Sequence, residues 1–517
     1  MTQASTPLPA QEGGGQEVPI VLDTGSMDSY RQFLSIKGLP RYRLVGRTAY
    51  VPVEYAGLIG KPTPVLGPAA NYTPIEAAFD YQAGITRIAI AKEKFAIFAR
   101  CGLGKTLMIL EWVKHVASQL RAGQCVLIIE PLMVVRQLIE QAAIFYGDSL
   151  PIERVPAAKL AEWLASGTGR IGVTNYDALN DDVQPGRLGA LAIDESSCLK
   201  SHYGAWGQHI LRIGRGLRWK LALTGTPAPN DRIEYANHAV FLDRYPTVNA
   251  FLARYFVNRG QTDNRWELKP HALRPFYRSL SDWCIFVNNP GTYGWKDNTD
   301  TIPPVHVHIE NVGLTEAQRR IVADTTGQMF VGSNPGGIGD RAKMGQLAKG
   351  KFAGEAVDTL KPAYIRDRIA SWPNESTIVW CLYNDEQDRL AKIIPNSASM
   401  TGSTPDDERE RMIDDFNAGR VRTLISKPKI LGYGMNFQIA TRHVFSGLQD
   451  SYEQFHQAVS RSNRIGSTKP LNVHIPVTEI ERPMIDTVLR KAKRIDEETA
   501  EQEDLFRESA AGLIHAN

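Results

Sequence analysis

Residues Ala99 to Thr106 read A-R-C-G-L-G-K-T, a spacing of glycines, lysine and threonine that can hold a polyphosphate. The apolar run Phe95-Ala96-Ile97-Phe98 before it suits a short buried strand, and Leu107, Leu110 and Val113 after it recur at helical spacing. A turn in that context points successive backbone N–H groups into one concavity, where the positive end of the helix dipole adds its field. Gly102 and Gly104 keep side chains out of that concavity, so the backbone around Leu103 can close on a β-phosphate. Lys105 then reaches the β- and γ-phosphates, and the Thr106 hydroxyl is placed to ligate Mg²⁺.

Further along come two adjacent carboxylates, Asp194 and Glu195, in A-I-D-E-S-S at the end of an apolar run. Sheets of parallel strands bind ligands outside their carboxyl ends. Asp194 suits holding Mg²⁺ through water, and Glu195 suits orienting and deprotonating a water that attacks the γ-phosphate. The turn Thr224-Gly225-Thr226-Pro227 adds hydroxyls able to sense the same phosphate. Arg461 and Arg464 are three apart, a spacing that predicts one face of a helix, and a planar guanidinium stabilises charge on a transferring phosphoryl group. Three bland features stand beside these. His306, His308 and Glu310 alternate onto one strand face without a fourth metal ligand nearby, Cys101 reads as a small filler, and the tryptophans read as core packing.

Elements must position these groups. From Pro74 onward short apolar runs alternate with helical spacings, the pattern of a parallel α/β sheet. Expected strands are Ala96–Phe98, Val126–Glu130, Ile171–Thr174, Leu191–Asp194 and Leu221–Thr224. The rhythm stops between about 237 and 301, which reads as a helical and aromatic insertion. It resumes at Val305–Ile309, Thr377–Cys381, Ala398–Thr401, Thr423–Ser426, His443–Phe445 and Val473–Ile475. Before all this, residues 1–29 have the composition of a disordered tail, and Tyr42–Val45 and Thr48–Val51 flank a Gly46-Arg47 turn as a hairpin would.

The bulk properties narrow the function classes. A 517-residue chain of net charge +3 allows several cores and permits a polyanion partner, whose binding surface must be local. Five cysteines with no C-x-x-C pair argue against a disulfide framework and a thiolate zinc site, and fit a reducing cytosol. The start of the chain lacks the features of a signal peptide. Val126–Val135 is interrupted by Glu130 and Pro131 and is too short to span a bilayer. The expectation is a soluble, cytoplasmic protein with no membrane partner.

The order A-R-C-G-L-G-K-T, then D-E-S-S, then L-T-G-T-P-A-P-N resembles superfamily 2 helicase-type ATPases, and within them the Snf2-like branch, in which alanine at the position of Ala99 is ordinary. Phe79-Asp80-Tyr81-Gln82 resembles the adenine-recognising Q motif. That implies Gln82 reads the base while an aromatic such as Tyr81 stacks on it. Glu130-Pro131-Leu132 and Thr174-Asn175-Tyr176 are similar to first-lobe motifs that grip a nucleic-acid backbone, implicating Pro131, Thr174 and Asn175, with Asn230 closing the T-G-T-P segment. Leu273–Phe276 and Leu314–Gln318 resemble the inter-domain region of that branch. In the second half, Thr401-Gly402-Ser403 resembles the T-G-S turn, and K-P-K-I-L-G-Y-G-M-N-F-Q resembles motif V, implicating Gly434 for nucleotide and Asn436 for nucleic acid. Gln457 to Gly466, Q-A-V-S-R-S-N-R-I-G, resembles motif VI, whose arginines act on the γ-phosphate. Ser197 stands where the D-E box commonly has histidine, which leaves open how the box is coupled to Thr224-Gly225-Thr226. The form of motif V resembles phage and prophage members.

The resemblance spans about residues 72–480. It implies two RecA-like parallel-sheet α/β lobes, 72–236 for ATP and 305–480, separated by a helical insertion at 237–304. A small β-containing module at 30–71 precedes them and a helical tail at 481–517 follows. The implied function is an ATP- and Mg²⁺-dependent nucleic-acid motor, with duplex DNA favoured and RNA not excluded. Two alternatives stay open: a strand-separating DNA or RNA helicase, and an ATP-gated DNA-binding scaffold without turnover.

Overall fold

The computed structural model describes residues 17–60, 67–200, 204–228, 231–260, 266–296, 302–329, 338–431, 436–447, 452–464, 466–490, 493, 500, 502–504 and 507. They group into two compact units, one drawn from 1–100, 104–297 and 498–517, the other from 101–103 and 298–497. Asn230 and Gly434 lie outside the described residues.

The first unit is built on a seven-stranded sheet. Its spatial order is Cys284–Val287, Lys94–Ala99, Trp219–Thr224, Leu188–Ile193, Cys125–Glu130, Ile171–Asn175 and Glu153–Arg154, all parallel. Every residue of Cys125–Glu130, Leu188–Ile193 and Trp219–Thr224 is buried, as strands covered on both faces must be. All five strands expected here are present. Two more were not anticipated. Cys284–Val287, from the segment read as an insertion, pairs in register with Lys94–Ala99, because C-I-F-V is apolar enough for a buried edge but too short to signal by period.

The N-terminal hairpin forms as expected, Arg43–Val45 against Thr48–Pro52 with Gly46 at φ 57°. A third strand, Glu17–Val21, joins it, and the helix Met27–Lys37 follows, so structure begins inside the stretch whose composition suggested a tail to residue 29. Ile20 and Ile36 account for this, since both are buried with Ala49, Val51 and Tyr55. The module is fastened to the sheet below by buried charge. Tyr55 donates to Asp282 Oδ1 at 2.7 Å, and Lys92 and Arg244 pair with the same carboxylate at 3.3 Å each. Burial alone would raise the Asp282 pKa; Lys92, Arg244 and Arg41 outweigh it and hold the carboxyl far below the usual range.

The second unit carries a six-stranded parallel sheet ordered Val305–Asn311, Leu471–Val477, Arg442–Phe445, Thr377–Trp380, Thr423–Ser426 and Ser397–Ser399. Each strand anticipated in this half is among them. The helices Asn384–Ile393 and Lys361–Ala370 cover a core that includes Ile365, Val379, Leu390, Ile425 and Val444.

Candidate active site

Three neighbouring strands of the first sheet end side by side, and each delivers one candidate segment at its carboxyl end. Lys94–Ala99 leads into the phosphate-cradling loop, Trp219–Thr224 into the T-G-T-P turn, and Leu188–Ile193 into the D-E-S-S turn. The loop ends where the helix Lys105–Gln119 begins, with Gly102 at φ 92° and Gly104 at φ 72°. Both lie in the left-handed region that glycine tolerates. Lys105 Nζ donates to the Ala99 carbonyl at 3.2 Å, across the mouth of its own loop.

Gln82 is brought onto that loop. Its Oε1 accepts from the Phe79 N–H at 3.0 Å at the start of the helix Asp80–Lys92, which turns its Nε2 toward Gly104. A Cβ at position 104 would stand 2.2 Å from Gln82 Nε2, so any side chain there would push the Gln82 amide off the loop, and the φ favours glycine as well. The segment before Gln82 is pinned to the phosphate-loop helix by buried Glu111, whose carboxylate accepts from Tyr72 Oη at 2.8 Å, Tyr146 Oη at 2.7 Å and the Ile75 N–H at 3.0 Å. Tyr81 is fully buried, and Phe79, stacked on it with centroids 5.8 Å apart, is the ring that stays 40 % exposed. The resemblance had pointed to Tyr81; the exposed face belongs to Phe79.

Asp194 and Glu195 are both buried, and Thr224 Oγ1 stands 3.5 Å from Glu195 Oε2 while accepting from the Thr226 N–H at 3.1 Å. The T-G-T turn is thus coupled to the box through Glu195 itself. Behind the pair lies a third carboxyl, Glu130, which opens the Glu130-Pro131-Leu132 segment that the sequence suggests for nucleic acid but which faces the two carboxylates instead. It is fully buried, and neither of its oxygens has a hydrogen-bond partner. Burial first, then Asp194 and Glu195, raise its pKa well above the usual carboxylate value and favour its neutral form. His238, on the helix Tyr235–Phe241, shares a 3.0 Å hydrogen bond with Ser196 Oγ, and burial lowers its pKa to about 4.

A hydroxyl at Thr106 and a buried carboxylate at Asp194 form a hard-oxygen donor set that fits Mg²⁺, which takes few protein ligands and completes its shell with water and phosphate oxygens. Among the described residues no group of three or more His, Cys, Asp and Glu is arranged to hold a metal by itself. His308 pairs instead with Asn472 Oδ1 at 3.0 Å, and Glu310 with His474 at 2.9 Å.

The residues expected to touch nucleic acid divide. Pro131 and Asn175 are half-buried beside a groove lined by Leu132, Val135, Arg154, Val155 and Thr174. The Thr174 hydroxyl is spent within the fold, donating to the Val155 carbonyl at 2.8 Å, and Asn175 Oδ1 accepts from the Ala178 N–H at 3.0 Å. Tyr176 reaches the other way and donates to the Asp194 carbonyl. In the second unit Thr401 Oγ1 closes a turn on Thr404 Oγ1 at 3.1 Å and Gly402 is exposed, while Asn436 is half-buried.

Gln457 is buried on the helix Tyr452–Val459. That helix stops before the two arginines, contrary to the one-face expectation. Ser460 Oγ bonds back to the His456 carbonyl at 2.7 Å, and Ser467 Oγ donates to the Ser462 carbonyl at 2.6 Å, so the serine-rich run folds into turns that carry Arg461 and Arg464. Burial and then the Arg461 guanidinium lower the Arg464 pKa to about 10, which leaves it charged at neutral pH.

Residues 360–466 match the family model for the helicase conserved C-terminal domain. Putative protein p41 of Acyrthosiphon pisum secondary endosymbiont phage 1 is 25 % identical over 422 residues, spanning 73 % of this chain and 88 % of its own. The putative ATP-dependent helicase/translocase YwqA of Bacillus subtilis (strain 168) is 22 % identical over 438 residues, 79 % of this chain, which spans 46 % of that longer relative. Among solved structures, the Sulfolobus solfataricus SWI2/SNF2 ATPase core in complex with dsDNA aligns over 86 % of this chain and 97 % of its own, with 17 % identity and a TM-score of 0.39. The chain thus carries a segment similar to a helicase C-terminal domain, and over most of its length it is similar to a putative ATP-dependent helicase/translocase. No helix among the described residues is long and apolar enough to cross a membrane.

Proposed function

We propose that this ATPase is a Mg²⁺-dependent motor that moves along or remodels duplex DNA in the cytosol. The observation that carries the ATP half is the convergence of the phosphate loop, the D-E-S-S turn and the T-G-T-P turn at the ends of three adjacent parallel strands, with Gln82 laid over Gly104. In this reading Gly102, Leu103 and Gly104 bind the β-phosphate through backbone N–H groups, and Lys105 leaves the Ala99 carbonyl to meet the γ-phosphate. Thr106 and Asp194 would hold Mg²⁺, which would supply positive charge against the phosphates. Glu195 orients the attacking water and accepts its proton, Thr224 holds the Glu195 carboxylate, and Arg461 and Arg464, with Gln457, stabilise charge on the transferring phosphoryl group.

The DNA half rests on the Snf2-like motifs and on the helicase/translocase likeness. Contacts from Pro131, Asn175, Thr401, Gly402 and Asn436 would fall on backbone phosphates, so binding should ignore sequence and weaken with salt. The test is ATPase rate against duplex DNA, single-stranded DNA and RNA, beside a strand-displacement assay. Duplex DNA is expected to raise the rate most, without strand release. Stimulation by RNA alone overturns the substrate assignment. Glu195→Gln is expected to lower turnover at least a thousandfold while nucleotide still binds, and undiminished phosphate release from it removes Glu195 as general base.

A further inference from the structure

His238 has no part in the chemistry above, yet it is fully buried between the strand that leads into the phosphate loop and the D-E-S-S turn. Its ring packs edge-on against Phe98, 5.3 Å between centroids, one residue before Ala99 opens the phosphate loop. Its Nε2 lies 3.0 Å from Oγ of Ser196, the residue after Glu195. Its own helix, Tyr235–Phe241, is the first α-helix after the T-G-T-P turn. The neighbouring Asn237 donates to the Leu199 carbonyl, so one helix grips the short turn Ser196–Lys200 at two points.

Immediately before the first of these anchors Glu195 has φ 48°, in the left-handed region. A glutamate stays there only when its surroundings fix it, and no side-chain preference of its own favours that state. A return to negative φ would swing the peptide joining 195 to 196 and move the carboxylate relative to Thr224 Oγ1. Whatever holds Ser196 therefore holds the direction of Glu195.

We propose that His238 is a positioning residue: by holding Ser196 Oγ it keeps Glu195 in the backbone conformation that aims its carboxylate, and it ties that aim to the helix after the T-G-T-P turn. The proposal rests on Glu195 being the general base. Ser197 leaves the D-E box without a histidine of its own, and His238 supplies an imidazole to the box from outside it.

The test is kcat and KM for ATP at saturating duplex DNA for the full chain carrying Ser196→Ala, His238→Ala, both changes, or His238→Gln, with Glu195→Gln alongside and a urea midpoint for each. Ser196→Ala and His238→Ala are expected to lower kcat at least tenfold with KM within threefold. The double variant should fall no further than the worse single one, because both remove the same bond. His238→Gln, whose amide reaches the place of Nε2, should recover most of the rate. A Ser196→Ala kcat within twofold of the parent, or losses that multiply in the double variant, overturns the proposal. So does a loss of rate that vanishes once corrected for the folded fraction. If His238→Ala fails to fold, Ser196→Ala and His238→Gln decide. An active Glu195→Gln is a separate failure, that of the general-base reading, whatever Ser196→Ala does.

Discussion

Phe79 keeps its ring 40 % exposed while Tyr81 beneath it is closed off from solvent, and the pair shows how far residue identity can be read from a motif. The letters F-D-Y-Q locate an aromatic next to Gln82 but not which aromatic. Position decides: Phe79 precedes the helix Asp80–Lys92, and Tyr81 points into its buried side among Gln82, Ile85 and Thr86. An aromatic face stacked on a base contributes on the order of 1 kcal/mol. Phe79→Ala is therefore expected to raise the KM for ATP by about three- to tenfold with kcat little changed, because stacking acts equally on ground and transition states. Tyr81→Phe should leave KM alone. Steady-state kinetics of the two variants checks both, and a KM shift in Tyr81→Phe without one in Phe79→Ala reverses the assignment. Lys105, Asp194 and Glu195 were legible because phosphate chemistry dictates their spacing along the chain. The closeness of Glu130 to that carboxylate pair was not, although its segment resembles a motif, and nothing local marks His238, since both owe their surroundings to neighbours far away in sequence.

At the scale of elements, hydrophobic period found the central strands and lost the short or polar pieces. Cys284–Val287 hid behind aromatic helix-like sequence, and the arginine segment broke its helix at Ser460 through hydroxyls that compete for backbone carbonyls. A different element was invisible for a different reason. Glu481 lies beyond the stretch that resembles the family, yet it is buried with Lys349 and Lys361, at 2.7 Å and 2.5 Å. Burial alone would raise its pKa, and the two ammonium groups bring it down to about 2 instead. Lys361 also donates to the Ser446 carbonyl at 2.6 Å, so this network fastens the loop after Arg442–Phe445 to the helix that starts at Lys361. Removing one member of a buried charge set strands the others, a loss of about 3–5 kcal/mol. Glu481→Ala should lower the stability of the second unit by that amount, measured as a shift in its urea transition. A shift below about 1 kcal/mol would mean that water reaches the two lysines after all.

Over the whole molecule, the same burial that builds the sites sets a pH limit on the fold. His238 in the first unit and His443 in the second are fully buried, and burial lowers their pKa from 6.5 to about 4 and about 3. Above pH 6.5 both histidines are neutral folded or unfolded, and they cost nothing. As pH falls below 6.5 the unfolded chain takes up protons that the folded chain cannot, so stability drops by up to about 1.4 kcal/mol per pH unit for each histidine until the folded pKa is reached. Glu481 adds a later step of the same sign: its folded pKa, about 2, is below the ordinary 4.5, so its stabilisation is present above pH 4.5 and is lost as pH falls toward 2. Urea midpoints should therefore fall in the second unit as pH drops from 6.5 to 5, whereas in the first unit the raised pKa of buried Glu130 acts with the opposite sign, stabilising the fold as pH falls, and offsets His238. His238→Gln removes the destabilising member of that pair, so it should raise the first unit's midpoint at pH 5 relative to the parent and leave the second unit unchanged, because the two histidines belong to separate cores. A second-unit midpoint that holds constant from pH 7.5 to 5 would show that the His443 ring accepts a proton in place.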